Sequence, residues 1–338
     1  MSAHAFEVPT ELAAAEPIEA RGARRDAVRL LVVTPFGLRH AGFTDLPDLL
    51  RPGDLLVINT SATLPAAVDG TRSDGRGVTV HLSTALEDGS WLAELRPPGA
   101  PVGPVPYAER GEQVALPDGA SLVLLEPRGR LWRVRIAVEG GIRRYLARVG
   151  RPITYPYVPR RWPLGAYQTV FARDAGSAEM PSAGRPFTRQ VVTALVTRGI
   201  AIAPITLHTG VSSVEEGEPP LPERFRVPAA TARLVNATHA GGGRIVAVGT
   251  TVTRALETVA APDGSIRAGA GWTKLILGPQ RQARVVNGLV TGWHAPGTSH
   301  LLLLEAVAGE QLVATAYREA LASRYLWHEF GDSCLFLP

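Results

Sequence analysis

Five short segments carry residue types that can do chemistry. In RIVAVGTTVTRALE (244–257) an apolar run ends at Gly249 and a helical pattern begins. A helix starting there offers free N–H groups and a partial positive charge, which suit a carboxylate or phosphate. Thr250 and Thr251 can cap that helix or touch a ligand, and Arg254 and Glu257 lie three apart on one face. The plainer alternative is a capped helix with a surface ion pair. In ITLHTG (205–210), His208 sits where an apolar strand meets a glycine, a common place for reactive residues at the carboxyl end of a sheet; such a histidine also serves simply as a hydrogen-bonder. In TGWHAPGTS (291–299), Trp293 and His294 follow an apolar strand, and an aromatic beside a histidine can stack on a base or sit near a cation, or just pack a loop. In MPSAGRPFT (180–188), Ser182, Gly184 and the N–H groups after them can cradle an anion, or form an ordinary helix start with Thr188 as cap. In FGDS (330–333), Asp332 is an orienting carboxylate or a buried turn former.

The eight histidines, among them His4, His81, His239, His300 and His328, show no H-x-x-x-H spacing with carboxylates, so no metal site is expected. Walker, G-x-S-x-G and G-x-G-x-x-G patterns are absent too, which leaves a P-loop, a nucleophile elbow and a dinucleotide fold without support.

These segments need a scaffold. Residues 26–33 and Asp54 to Asn59 read as strands, the second after the turn Arg51-Pro52-Gly53. Between about 65 and 140 short β-like runs recur: Val78 to Leu82, Trp91 to Leu95, Ser121 to Leu125 and Leu131 to Val138. Pro/Gly clusters such as RPPGAPVGPVP (96–106) separate them, and a helical stretch from Gly141 to Val149 closes the region. That pattern predicts a small antiparallel barrel or sandwich. Beyond 151, strands (Ile200 to Leu207, Arg244 to Val248, Lys274 to Leu277, Val285 to Val290) alternate with helices (Thr188 to Arg198, Pro228 to Ala240, Thr251 to Ala260, Glu310 to Tyr325). The alternation predicts an α/β unit with a mixed or parallel sheet. We therefore expect a core domain over 1–63 and 152–338, interrupted by a β domain over 64–151.

Composition sets the outer limits. The 338 residues are 45% hydrophobic and 20% charged, the balance of a folded globular chain. The single cysteine, Cys334, excludes an internal disulfide and thiolate-rich zinc sites. No apolar run approaches the roughly 20 residues of a membrane span, Leu301 to Leu304 being the longest candidate, and the N-terminus lacks the order of a signal peptide. A cytoplasmic location is the expectation. The 35 basic residues against 31 acidic ones give +4; all but Lys274 are arginine, suited to phosphate and carboxylate. This permits RNA binding without demanding it.

Singly these signals are weak, but their order is specific. YQTVFA (167–172), PSAGRPFT (181–188), TLHTG (206–210), VGTTVTRALE (248–257), GWT (271–273), VTGWHAPGTS (290–299) and SRYLWHEFGDS (323–333) resemble successive blocks of the S-adenosylmethionine:tRNA ribosyltransferase-isomerase family of queuosine biosynthesis. RDAVRLLV (25–32), FTDLPDLLRPGDLLVIN (43–59) and Pro65 resemble its N-terminal part, so the likeness spans nearly the whole chain. The resemblance implies a mixed α/β barrel-like core with an inserted small antiparallel β-barrel. It implies transfer and isomerisation of the ribosyl part of S-adenosylmethionine, a co-substrate, onto the aminomethyl group of a 7-deazaguanine base in tRNA. Epoxyqueuosine, adenine and methionine are the products, and no metal is implied. Such chemistry needs a general base, donors for ribose and adenine, an anchor for the methionine carboxylate, and exclusion of water. For that chemistry we expect Gly249, Thr250 and Thr251 to bind the carboxylate or ribose, and Arg254 to support that anion or pair with Glu257. His208 and His294 are the acid/base candidates, and Trp293 stacks on a base. Tyr167, Gln168, Ser182 and Gly184 line the pocket, and Asp332 orients a neighbour.

The chain departs from the family pattern in polar blocks. Arg185-Pro186 replaces Leu-His in P-T-A-G-L-H-F-T. The second glycine of H-x-G-x-G-T-F is lost in Gly210-Val211-Ser212-Ser213-Val214. The H-x-M-H-S-E region is shortened to PPLPERFRVP (219–228), where Glu223 matches. In N-D-T-R-V-I-P-A-R, Thr60 replaces the aspartate, and Ala62 and Ala67 replace the arginines. Losing those groups weakens recognition of an anionic RNA or of the deazaguanine. The chain thus reads as a divergent member: the tRNA-modifying enzyme, an S-adenosylmethionine-using paralogue with a small-molecule acceptor or rearrangement or lyase chemistry, or an inactive binding protein.

Overall fold

The computed structural model describes residues 6–99, 103–105, 107–211 and 220–338. His4, part of the 96–106 segment, Ser212 to Val214 and Pro219 lie outside the described residues. A nine-stranded mixed sheet forms the core, in the order Gly269–Thr273, Glu223–Val227, Ala201–His208, Leu55–Asn59, Ile245–Val248, Gly288–Thr291, Ser333–Phe336, Arg29–Thr34, Gly37–Gly42. Its centre is parallel: Leu55 lies between Ala201 and Ile245, and Val246 pairs with Gly288. These strands are almost continuously apolar because the sheet is covered on both faces. Val57, Ile205, Ala247 and Leu289 pack on helices Thr250–Thr258, Ser299–Ala308 and Glu310–Ala322. The alternate residues Leu56, Ile58, Val246, Val248 and Val290 pack on Phe43, Phe187, Val191 and Leu195. Ser333–Phe336 is wedged between Gly288–Thr291, antiparallel, and Arg29–Thr34, parallel, with Cys334 opposite both Thr291 and Leu31.

The β-rich middle is a closed six-stranded barrel with neighbours in the order Leu131–Ala137, Trp91–Arg96, Gly77–Ala85, Ala67–Arg72, Gln113–Ala115, Ser121–Arg128. It has its own core of Val68, Val80, Leu95, Leu122, Leu131 and Val134, closed by Tyr145 and Leu146 of helix Ile142–Val149. Gly70 is obligatory: a Cβ there would stand 2.7 Å from the Ala115 carbonyl oxygen. The chain leaves the core after Thr63 and returns beside the bridge between Ala67 and Arg151. Mixed sheet, helices and inserted antiparallel barrel agree with the fold class expected from the sequence.

Details differ. Lys274 to Leu277 is not a strand; the neighbouring Gly269–Thr273 is, paired with Glu223–Val227. The strand expected from Val285 begins at Gly288, because the N–H groups of Val285 and Val286 are drawn to the Glu257 carboxylate at 2.8 and 3.1 Å. Helix Ser299–Ala308 and the strands Ala67–Arg72, Glu223–Val227 and Ser333–Phe336 were not expected from the sequence.

Candidate active site

Leu55–Asn59, Ala201–His208, Ile245–Val248 and Gly288–Thr291 all end on one side of the sheet, where ligands of parallel α/β sheets bind. The segments that follow them enclose a cavity of about 380 Å³. Its walls include Thr63, Thr209, Gly249 to Thr251, Arg254 and Gly292 to Ala295, with Tyr155, Tyr157, Tyr167, Ser182, His300, His328 and Glu329.

Two helices begin in this wall, at Thr250 and at Ser299, and neither start has a side-chain cap hydrogen bond. Their first-turn N–H groups and positive ends therefore favour an anion in the cavity. Gly249 makes the first start possible. Its φ of +92° suits glycine, its N–H donates to Val290 O at 2.8 Å, and a Cβ on it would lie 3.2 Å from that of Ala183. The PSAG segment thus packs directly on the strand–helix turn. Asn59 Nδ2 reaches Leu207 O at 2.8 Å and Thr251 Oγ1 at 3.3 Å, tying three strand ends together.

Arg254 does not pair with Glu257. Its guanidinium meets Glu223 and donates to Leu275 O (3.2 Å) and Leu221 O (3.3 Å). Glu257, 2% exposed, accepts N–H groups from Arg284, Val285 and Val286 and so anchors a loop. Burial pushes the Glu223 carboxyl up to about 7 despite the opposing pull of Arg254.

The opposite wall is aromatic. Tyr155, Tyr157 and His328 stack in series, with Tyr157 and His328 centroids 4.0 Å apart. Tyr155 donates to Glu179, and Tyr157 to Glu329 at 2.7 Å. Burial raises Glu329 to about 7 and lowers His328 to about 4, so His328 is neutral near pH 7. His328 holds a φ of +71°, uncommon outside glycine. Among the described residues the buried Tyr167 hydroxyl has no partner, a polar atom suited to meeting a ligand.

Of the twelve residues expected to form the site, Tyr167, Ser182, Gly249, Thr250, Thr251, Arg254, Trp293 and His294 come together on this cavity. Four do not line it. The His208 ring turns to Ser61, with Nδ1 2.7 Å from Ser61 Oγ, itself 2.6 Å from Ser177 Oγ. Its pKa is lowered by burial and then by Arg224 and Arg143. Gln168 brackets Thr63, accepting its N–H at 3.0 Å and donating to its carbonyl at 2.8 Å. Gly184 packs against Thr169. Asp332 accepts the N–H groups of Arg29 and Leu326, both at 2.8 Å, a turn-forming role. Trp293 reaches the cavity wall, but its indole is 2% exposed and packs with Tyr317, Tyr325 and Trp327, which leaves no face for a base.

Arg185, which departs from the family block, does not line the cavity. Its Nη2 is 2.8 Å from Glu19 Oε2, its Nε donates to Ala166 O at 3.0 Å, and it lies over the Phe330 ring at 4.9 Å. Sequence reasoning missed Tyr155, Tyr157, Glu179, His300, His328 and Glu329. The aromatic and acidic residues of YPY and WHEF were the available signal.

The model of a family described as queuosine biosynthesis protein matches residues 1–336. A protein of Symbiobacterium thermophilum named S-adenosylmethionine:tRNA ribosyltransferase-isomerase is 38% identical, with 98% of each chain covered. A relative of the same name from Moorella thermoacetica is also 38% identical, again over 98% of both chains. The crystal structure of S-adenosylmethionine tRNA ribosyltransferase from Thermotoga maritima superposes with a TM-score of 0.56 at 30% identity, covering 99% of this chain and all of that one. With a match running from end to end and the same fold in a solved relative, this chain belongs to the queuosine biosynthesis protein family.

Proposed function

We propose that this chain is a transferase-isomerase that takes the ribosyl unit of S-adenosylmethionine and moves it onto the aminomethyl group of a 7-deazaguanine base in tRNA, giving epoxyqueuosine, adenine and methionine. The observation that carries the reading is end-to-end similarity to enzymes of that name at 33–38% identity. The cavity is consistent with that donor. The helix start after Gly249, with Thr250 and Thr251, would take the methionine carboxylate. The neutral His294 and His300 pair would face the sulfonium sugar without charge repulsion, burial holding His300 at about 4. The rings of Tyr157 and His328, with Glu329 beside them, would hold a planar base.

A second reading keeps the donor and changes the acceptor to a small molecule. It is favoured by Arg185, which stands where the family carries an apolar residue and turns into an ion pair with Glu19 instead of into the cavity. One incubation separates them. With S-adenosylmethionine, adenine release that needs tRNA bearing the aminomethyl base, followed by mass spectrometry, supports the first reading. Release independent of tRNA supports the second, and no uptake of S-adenosylmethionine overturns both.

A further inference from the structure

We infer that His300, through Nε2, is the group that removes the C5′ proton of the ribosyl donor, and that Thr291 and His294 position it, an assignment that rests on the donor reading above.

The protons can be placed one by one. The Thr291 hydroxyl donates to the Gly292 carbonyl at 3.2 Å. Taking that proton for Gly292, the hydroxyl accepts at its 3.1 Å contact with His294 Nε2; the opposite direction, with Thr291 donating to His294, would place a proton on His300 Nε2 and leave no base there. His294 therefore carries its proton on Nε2 and presents a lone pair at Nδ1. That lone pair is 3.1 Å from His300 Nδ1, so His300 donates there and its own lone pair is left on Nε2. The donors run one way, from His300 through His294 and Thr291 to the Gly292 carbonyl.

The two imidazoles consequently differ. His294 has both ring nitrogens bonded to protein, and its backbone N–H is fixed to the Tyr317 hydroxyl at 3.2 Å. Among the described residues His300 Nε2 has no partner, and His300 lines the cavity in the first turn of helix Ser299–Ala308. Burial and the neighbouring Arg254 keep His300 neutral, so its lone pair is present in the resting site; the same factors weaken it as a base, and the imidazolium it forms relies on His294 accepting from Nδ1.

In the step itself the C5′–H bond breaks. The proton passes to His300 Nε2, and the bonding pair stays on C5′ beside the positive sulfur as an ylide. His300 becomes an imidazolium whose Nδ1–H still donates to His294. No oxidant or reductant is needed.

The test uses the full chain, S-adenosylmethionine protonated or deuterated at C5′, the modified tRNA, and calorimetry for donor binding. His300→Ala should lose about 10²- to 10⁴-fold in kcat, the usual worth of an acid–base group. It should bind the donor within about threefold of wild type and recover part of its rate with added imidazole. His294→Asn, whose amide oxygen can still accept the His300 proton, should keep more kcat than His294→Leu at equal donor affinity. His300→Ala turning over at the wild-type rate would overturn the assignment. So would a loss that imidazole does not touch and that matches an equal loss of donor affinity, since His300 would then only bind. A wild-type protein that takes up no S-adenosylmethionine would remove the donor reading and this assignment together, whereas the first two results remove the assignment alone.

Discussion

Replacing Gly249 by alanine should damage both stability and the anion end of the cavity. At φ +92° and ψ 160° an L-residue is strained by about 1–3 kcal/mol. The new Cβ would also approach that of Ala183 to 3.2 Å, so the Ser182–Gly184 turn must give way. Rotating the peptide to relieve the strain would sacrifice the 2.8 Å bond to Val290 O, worth about 1 kcal/mol. Whichever way the chain responds, the cost is roughly 1–3 kcal/mol. With an unfolding entropy of about 2.1 cal/mol/K per residue, that is a fall of roughly 1.5–4 °C in Tm if the 338 residues melt together. Scanning calorimetry reads the shift, and titration with S-adenosylmethionine reads the site. Gly249→Ala melting within 1 °C of wild type with unchanged donor affinity would refute the argument that this turn needs glycine and shapes the cavity.

Three further outcomes follow from the geometry. Burial raises the Glu329 carboxyl from 4.5 to about 7, so the folded state holds a proton that the unfolded chain releases, and Glu329 costs stability as pH rises through that window. Glu329→Gln should therefore gain Tm over wild type at pH 8 relative to pH 4.5; an equal difference at both pH values refutes the shift. Arg185 is 2% exposed and its partner Glu19 35%, so Glu19→Gln, which strands a buried cation, should destabilise by roughly 3 kcal/mol, more than Arg185→Leu; the reverse order in chemical denaturation would contradict this. His208→Ala should keep kcat within about threefold of wild type, because His208 is bonded to Ser61 and does not line the cavity; a loss of about 10²-fold would return it to the reaction.

The frame was legible where apolar runs are long and glycine punctuates them. The 244–257 segment shows its strand, its obligatory Gly249 and its helix in linear order. The barrel was legible from its short β runs and frequent turns. Alternation sets Leu207 toward the core and His208 away from it, where its ring meets Ser61, and closeness in sequence to Gly210 says nothing about which way that ring turns. Glu223–Val227 alternates too, with Phe225 and Val227 inward and Arg224 and Arg226 outward, a short signal inside a segment that otherwise stands out only as a shortened family block. The partner of Arg254 was beyond reach because Glu223 is 31 residues away, while Glu257 was an obvious neighbour on the helix. His300 sat unnoticed at the start of the apolar run SHLLLLEAVA, where the pattern spoke of packing and said nothing about a neighbouring ring.

Cys334 gives the molecule an internal clock. It is the chain's one thiol, fully covered and flanked on both sides by strands that carry the site-bearing Thr291 and the N-terminal Leu31. A thiol reagent can reach it only after those neighbours separate, so the labelling rate counts openings of the sheet at the edge of the cavity. Any ligand that settles there should slow the count, whichever acceptor it turns out to be.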